Sequence, residues 1–280
     1  MKVLKFGGGC LQDVNQIKKL PTILKEYDND IIIVVSAFGK LTNLLDKIYA
    51  SKNTDLDLVL SFFQDIMLRL ELSDESTKTI LKYCLDLYSV NKFSHSGFLS
   101  IGELVSSKVL SFYFKKINFS HNLFNASKMI KTHDAGVNSQ INWQATLEHF
   151  KNHQALFLDT GSFPILTQGF ISSSYGGDKK HSPTCLGREG SDYSAAIFGH
   201  LLNAKEVILF KDVNGVYSSD PKKDLTAQLF LELSYENAFN LCNNINTIVH
   251  PKTIKKLAEK RIPLIIKNFN NLLVPGTKIN

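Results

Sequence analysis

Short unbroken apolar runs alternate along this chain with stretches in which apolar residues recur every third or fourth position. Residues 3–6 form an apolar-biased run, Gly7 to Gly9 supply a turn, and Leu11, Val14, Ile17 and Leu20 follow at three-residue spacing, which predicts strand, glycine turn, helix. Residues 31–35 are wholly apolar and predict a buried strand. Ser36-Ala37-Phe38-Gly39-Lys40 follows it, and a second helical pattern begins near Thr42. Over about 54–114 the spacing is helical, with Leu58, Phe62, Phe63, Ile66, Met67 and Leu70 in one stretch and Leu104, Val105, Val109, Leu110 and Phe112 in another, which suggests a helical insertion.

Strands are expected again over 122–125, 164–167, 207–210 and 264–266, helices over 193–202 and 251–259, a mobile loop over 175–183, and turns over 212–221 and 275–277. Strands alternating with helices imply a mainly parallel sheet covered on both faces, an α/β fold. The chain shows no internal repeat, low-complexity tract or linker.

With 280 residues and 44% hydrophobic content the chain can bury a full core. Its longest aliphatic run, 31–35, is far short of the ~20 residues that span a bilayer, and its first residues enter the glycines without a signal-peptide stretch. Cys10, Cys84, Cys185 and Cys242 are scattered, with neither a CxxC pair nor metal-type spacing, so no disulfide framework, zinc site or other metal set is expected. A cytoplasmic protein without membrane attachment fits. The net charge of +6 suits an anionic ligand, but the lysines are dispersed and no nucleic-acid-binding signature accompanies them.

Three segments place glycine, charge and small hydroxyl residues where a strand gives way to a loop or helix. In Lys5-Phe6-Gly7-Gly8-Gly9 the glycines would let the backbone approach phosphate oxygens and the lysine would neutralise a transferring phosphoryl; the spacing is neither GxxxxGK[ST] nor GxGxxG. Leu186-Gly187-Arg188-Glu189-Gly190-Ser191-Asp192 sets an arginine suited to gripping a carboxylate before a helix that Ser191 or Asp192 would cap. Lys211 to Lys222 holds a turn, an aromatic that would lie on a base, and lysines for phosphates. Ligands of open α/β sheets bind at the carboxyl ends of the strands, so the three are candidates for one site.

Taken together these segments resemble the aspartate kinases of the amino-acid kinase family. Lys5-Phe6-Gly7-Gly8 resembles the opening KFGG, the stretch from Val35 to Leu45 the VSA..G.TN.L segment, Ile101-Gly102-Glu103 the GE helix start, and Thr167-Gln168-Gly169-Phe170-Ile171 the T.GFIG strand. The stretch from Leu186 to Ala196 resembles LGRGGSDYTAA, that from Lys211 to Lys222 TDVxGIYTxDPR, and Val249-His250-Pro251-Lys252-Thr253 the VLHP.T helix start. The resemblance runs through nearly the whole chain. It implies a three-layer αβα sandwich with a mainly parallel central sheet, in one catalytic domain: residues 1–204 as the amino-acid lobe with the helical insertion, 205–280 as the nucleotide lobe, and no ACT regulatory domain.

It further implies that ATP with Mg²⁺ phosphorylates the side-chain carboxylate of L-aspartate to 4-phospho-L-aspartate, the first step toward lysine, threonine and methionine, in a cytoplasmic homodimer. Lys5 and Asp192 would be catalytic; Lys5, Phe6, Gly7, Gly8, Lys211, Asp212, Tyr217 and Lys222 would hold the nucleotide; Ser36, Thr42, Glu103, Arg188 and Ser191 would surround aspartate. Glu103 would meet the ammonium and Arg188 the α-carboxylate.

The chain departs from the family pattern at four places. Gly9 and Cys10 replace a small residue and a serine, Glu189 replaces a glycine at what is expected to be an exposed position far from the phosphates, Thr247 stands where a lysine is usual, and Lys222 replaces arginine. His250, beside Pro251, reads as structural rather than catalytic. A sibling kinase with another acceptor and a catalytically weak, ligand-binding paralogue are the alternatives.

Overall fold

A computed structural model describes the chain except for residues 53–55, 159–162, 177–180, 220, 222 and 245–247 and the side chains at 158 and 244. Lys222 and Thr247, and the expected start of the insertion at 54, therefore lie outside the described residues. In chain order the elements are β1 (Lys2–Phe6), α1 (Val14–Leu24), β2 (Ile31–Val35), α2 (Leu41–Ala50), α3 (Asp57–Arg69), α4 (Asp74–Asn91), α5 (His95–Lys116), β3 (Asn122–Phe124), β4 (Lys131–Thr132), α6 (Trp143–Leu158), β5 (Ile165–Gln168), β6 (Ile171–Ser174), β7 (Pro183–Cys185), α7 (Gly190–Leu202), β8 (Val207–Lys211), β9 (Glu232–Leu233), α8 (Tyr235–Asn244), α9 (Pro251–Ala258), β10 (Leu264–Asn268) and β11 (Thr277–Ile279).

Among the described residues the main sheet has eight strands in the order β3-β5-β2-β1-β8-β10-β11-β9, and only the β10–β11 pair is antiparallel. Side chains of a strand alternate between faces, so a sheet buried on both sides can use unbroken apolar strands. That is what β2 does: Ile31, Ile33 and Val35 join one core with Leu4, Phe6, Ile208 and Phe210, while Ile32 and Val34 join the other with Val3, Val207 and Leu209. Helices α1 to α5 pack on the first face and α6 to α9 on the second, giving three layers. The expected lobe boundary at 204/205 falls between α7 and β8, and β8 pairs in register with β1. No described helix is long and apolar enough to cross a membrane.

Residues 177–180 of the loop expected over 175–183 lie outside the described residues; β6 and β7, which flank it, run antiparallel in a small sheet with β4, and the His181 amide donates to the Ser174 carbonyl at 2.9 Å. The structure corrects one local expectation. Helix α7 begins at Gly190, so Ser191 and Asp192 lie inside its first turn rather than capping it. Helices α6 and α8 and the short strands β4, β6, β7, β9 and β11 escape pattern reading, because strands of two to four residues complete few alternations, and Ile-Ser-Ser-Ser of β6 has one apolar residue, whereas β3 and β5 fall where strands are expected.

Candidate active site

Strands β1, β2 and β8 lie side by side and parallel, so their carboxyl ends open on one edge of the sheet. A cavity of about 850 Å³ occupies that edge. It gathers the three segments singled out in the sequence: Lys5 and Gly7 to Cys10, Arg188 to Ser191, and Lys211 with Asp212. Ser36, Thr42 and Glu103 line it as well.

Strand alternation decides where the two lysines point. Lys5 lies on the same face of β1 as Val3, and Lys211 on the same face of β8 as Val207 and Leu209, the face that α7 covers. The first turn of α7 carries Asp192, fully buried, where the helix dipole favours a carboxylate. Both lysines meet it: Lys5 Nζ lies 2.5 Å from Oδ1 and Lys211 Nζ 2.6 Å from Oδ2. Burial alone would raise the Asp192 pKa, but Lys211 and Lys5 outweigh it and hold the carboxyl below its ordinary range. Burial likewise opposes the charge on Lys211, and Asp192 and Glu189 overcome it, raising the Lys211 pKa.

Glu189 is the fourth member of this cluster. Its carboxylate sits 3.1 Å from Lys211 Nζ and it lines the cavity, half-buried, so the expectation of an exposed position is corrected. Its backbone is left-handed, φ 55°, and its side chain makes no capping bond to α7. A side chain there costs on the order of 1 kcal/mol over glycine.

Glu103 presents the opposite case. Gly102 lets α5 pack close against the segment after β2, since a Cβ there would stand 3.0 Å from Leu45 Cδ1 and 3.2 Å from Ala37 Cβ. That approach sets Glu103 beneath Thr42, whose hydroxyl donates to Oε1 at 3.3 Å, while Oε2 is buried without a partner. Burial pushes the Glu103 carboxyl up to about 8 against the weaker lowering effect of its hydrogen bonds.

The turn after β1 is braced. A Cβ on Gly8 would lie 2.5 Å from the Gly39 carbonyl oxygen and 3.2 Å from that of Ala37, and the Gly39 amide donates to the Leu11 carbonyl at 2.9 Å. Cys10 is buried in this turn and its thiol donates to the Phe210 carbonyl at 3.2 Å, so the position keeps a donor to the end of β8. Burial raises the thiol pKa to about 11, which leaves it protonated. His250 lines the cavity but spends Nδ1 on the Lys252 amide at 3.1 Å, capping α9 as the structural reading expects.

Two expected nucleotide residues stand elsewhere. Phe6 is fully buried and stacks on Phe210 with centroids 4.6 Å apart, behind the cavity. Tyr217 accepts from Asn214 Nδ2 at 3.2 Å and is not among the described lining residues. Asn138, His95 and Asp46 line the cavity without a sequence signal that singles them out, and Lys211 was expected at phosphates without its partnership with Lys5 through Asp192.

The site combines an αβα sandwich with two lysines at the carboxyl ends of neighbouring parallel strands, where ligands of open α/β sheets bind. The chain belongs to the amino acid kinase family, whose pattern it matches over residues 1–268. It is 32% identical over 296 residues to the bifunctional aspartokinase/homoserine dehydrogenase of Daucus carota, covering 98% of this chain and 32% of the relative, and 28% identical to chloroplastic aspartokinase 2 of Arabidopsis thaliana, covering 99% and 54%. The chain thus spans about a third to a half of these curated relatives' length. Its fold is similar to that of E. coli aspartokinase III solved with aspartate and ADP, with a TM-score of 0.84 at 24% identity, over 100% of this chain and 64% of that one.

Proposed function

We propose that this chain is an aspartate kinase that transfers the γ-phosphoryl group of ATP to the side-chain carboxylate of L-aspartate. The observation that carries the reading is the pair Lys5 and Lys211, drawn from opposite ends of the sequence onto the buried Asp192 at the cavity wall. Two cations fixed before the ligand arrives can stabilise charge on a transferring phosphoryl without reorganisation cost. In the reaction the bond from the γ-phosphorus to the β–γ bridging oxygen breaks, a bond from an aspartate carboxylate oxygen to phosphorus forms, and ADP leaves with the electron pair. A carboxylate is already nucleophilic at neutral pH, so alignment and neutralisation suffice and no base is required.

Residues 205–280 would carry the nucleotide through Lys211 and Asp212, and residues 1–204 the amino acid. Arg188, exposed at the cavity, suits the α-carboxylate, and Ser36, Thr42 and Ser191 supply hydroxyls around it. Mg²⁺ accompanying the nucleotide would add to the neutralisation the lysines provide.

The unpartnered Glu103 oxygen favours an acceptor that carries an ammonium group over the other acceptors used by proteins of this fold. Mg-ATP with purified protein and L-aspartate, glutamate or N-acetylglutamate, followed by hydroxylamine trapping, tests this. The expected result is acyl phosphate from aspartate alone. Trapping only from N-acetylglutamate would assign another acceptor, and ATP binding without any acyl phosphate would assign a ligand-binding role.

A further inference from the structure

Glu189 occupies a backbone conformation that favours glycine and does not use its carboxylate to cap α7. The side chain is instead committed to Lys211 at 3.1 Å, on the cavity side of the cluster. Counting formal charges, Lys5 and Lys211 balance Asp192 and Glu189, so the four-group cluster is neutral. Without Glu189 it would hold one uncompensated cation, which is costly out of water. Asp192 is fully buried inside α7, whereas the Glu189 side chain is 29% exposed and stands where the wall meets the cavity. Of the two carboxylates on Lys211, only Glu189 can yield its place to an incoming anion without breaking the buried pair.

We infer that Glu189 is a tethered anion that holds Lys211 in the empty site and is displaced from it by a phosphate oxygen of the bound nucleotide. The inference rests on the nucleotide reading of the cavity given above. Lys211 then stays charged, ordered and pointed at the cavity in the absence of ligand, and nucleotide affinity is reduced by the competition. Glu189 is a positioning residue, since its action passes through Lys211.

Calorimetric titration with ADP and Mg²⁺ of the wild-type protein, Glu189→Gln and Glu189→Gly tests this. Both variants remove the competing charge, and both are expected to bind ADP about 5- to 10-fold more tightly, the scale of releasing one partly exposed ion pair. Glu189→Gln keeps the left-handed backbone under a side chain of the same length, and Glu189→Gly relaxes it. Equal or weaker ADP binding by Glu189→Gln overturns the proposal. Tightening by Glu189→Gly alone also overturns it, because the gain would then come from the backbone. If none of the three binds ADP, the nucleotide reading itself fails, and this proposal with it; a wild-type protein that binds ADP while the Gln variant binds no better overturns only the role of Glu189.

Discussion

Asp192 and Glu103 are two buried carboxylates of one site, and their surroundings push them in opposite directions. Asp192 has a lysine on each oxygen and is held ionised; Glu103 has one hydroxyl on Oε1, nothing on Oε2, and titrates near 8. The first is charge-paired on both oxygens, its Oδ1 held by the Lys5 ion pair rather than by an aligned hydrogen bond, and fixes the cations that would act on phosphate. The second keeps one oxygen without a partner in the fold, and under the proposed reading the substrate's ammonium would complete it. Burial by itself does not mark function; what the burial leaves unpaired does.

The comparison breaks most severely at Asp192. Asp192→Asn strands two lysines near one another without a counter-charge, and turnover is expected to fall by on the order of 10³-fold, with a loss of about 3–5 kcal/mol of stability. Steady-state kinetics and a denaturant melt check both; a variant with near-normal turnover would remove the cluster from the mechanism. Glu103→Gln should act on the other substrate. We expect the aspartate KM to rise about 10- to 100-fold with a smaller change in kcat, the scale of one hydrogen-bonded charge pair, and an unchanged ATP KM.

Stability against pH sharpens the contrast further. In the folded chain Glu103 keeps its proton to about 8, whereas its ordinary value is 4.5. Its raised pKa means the folded state holds the extra proton, so its contribution to the ligand-free protein is fully present below pH 4.5 and is lost as pH rises to about 8. The slope reaches about 1.4 kcal/mol per pH unit at most. Asp192, with a lowered pKa, gives the reverse: stability present above its ordinary value of 3.8 and lost as pH falls through its folded one. Melts from pH 2 to 9 should show both arms, and Glu103→Gln should erase the upper one alone. The smallest effect is expected at Cys10→Ser, where a hydroxyl replaces the thiol as donor to Phe210; a change above about 1 kcal/mol would show that the site needs sulfur.

Much of this arrangement is legible in the sequence. The wholly apolar 31–35 run announced a doubly covered strand, and Lys5, Glu103, Arg188 and Asp192 stood in recognisable segments. What was not legible depends on contacts between distant segments. Lys5 and Lys211 share Asp192 only because β1 lies beside β8, and the loop before α7 must adopt its left-handed turn before Glu189 can reach Lys211. Phe6 shows the converse: a residue inside a phosphate-loop motif turned to the core, because strand alternation sends it to the face opposite Lys5.

Gly8 carries a consequence for how the gene can vary. Any change in the first or second base of a glycine codon installs a side chain or a stop, and the first atom of that side chain would meet the Gly39 carbonyl oxygen. A library of all single substitutions, scored by growth that depends on the enzyme, should therefore record Gly8 as intolerant as Lys5. The two rows of such a map would look alike for unrelated reasons, one chemical and one of space.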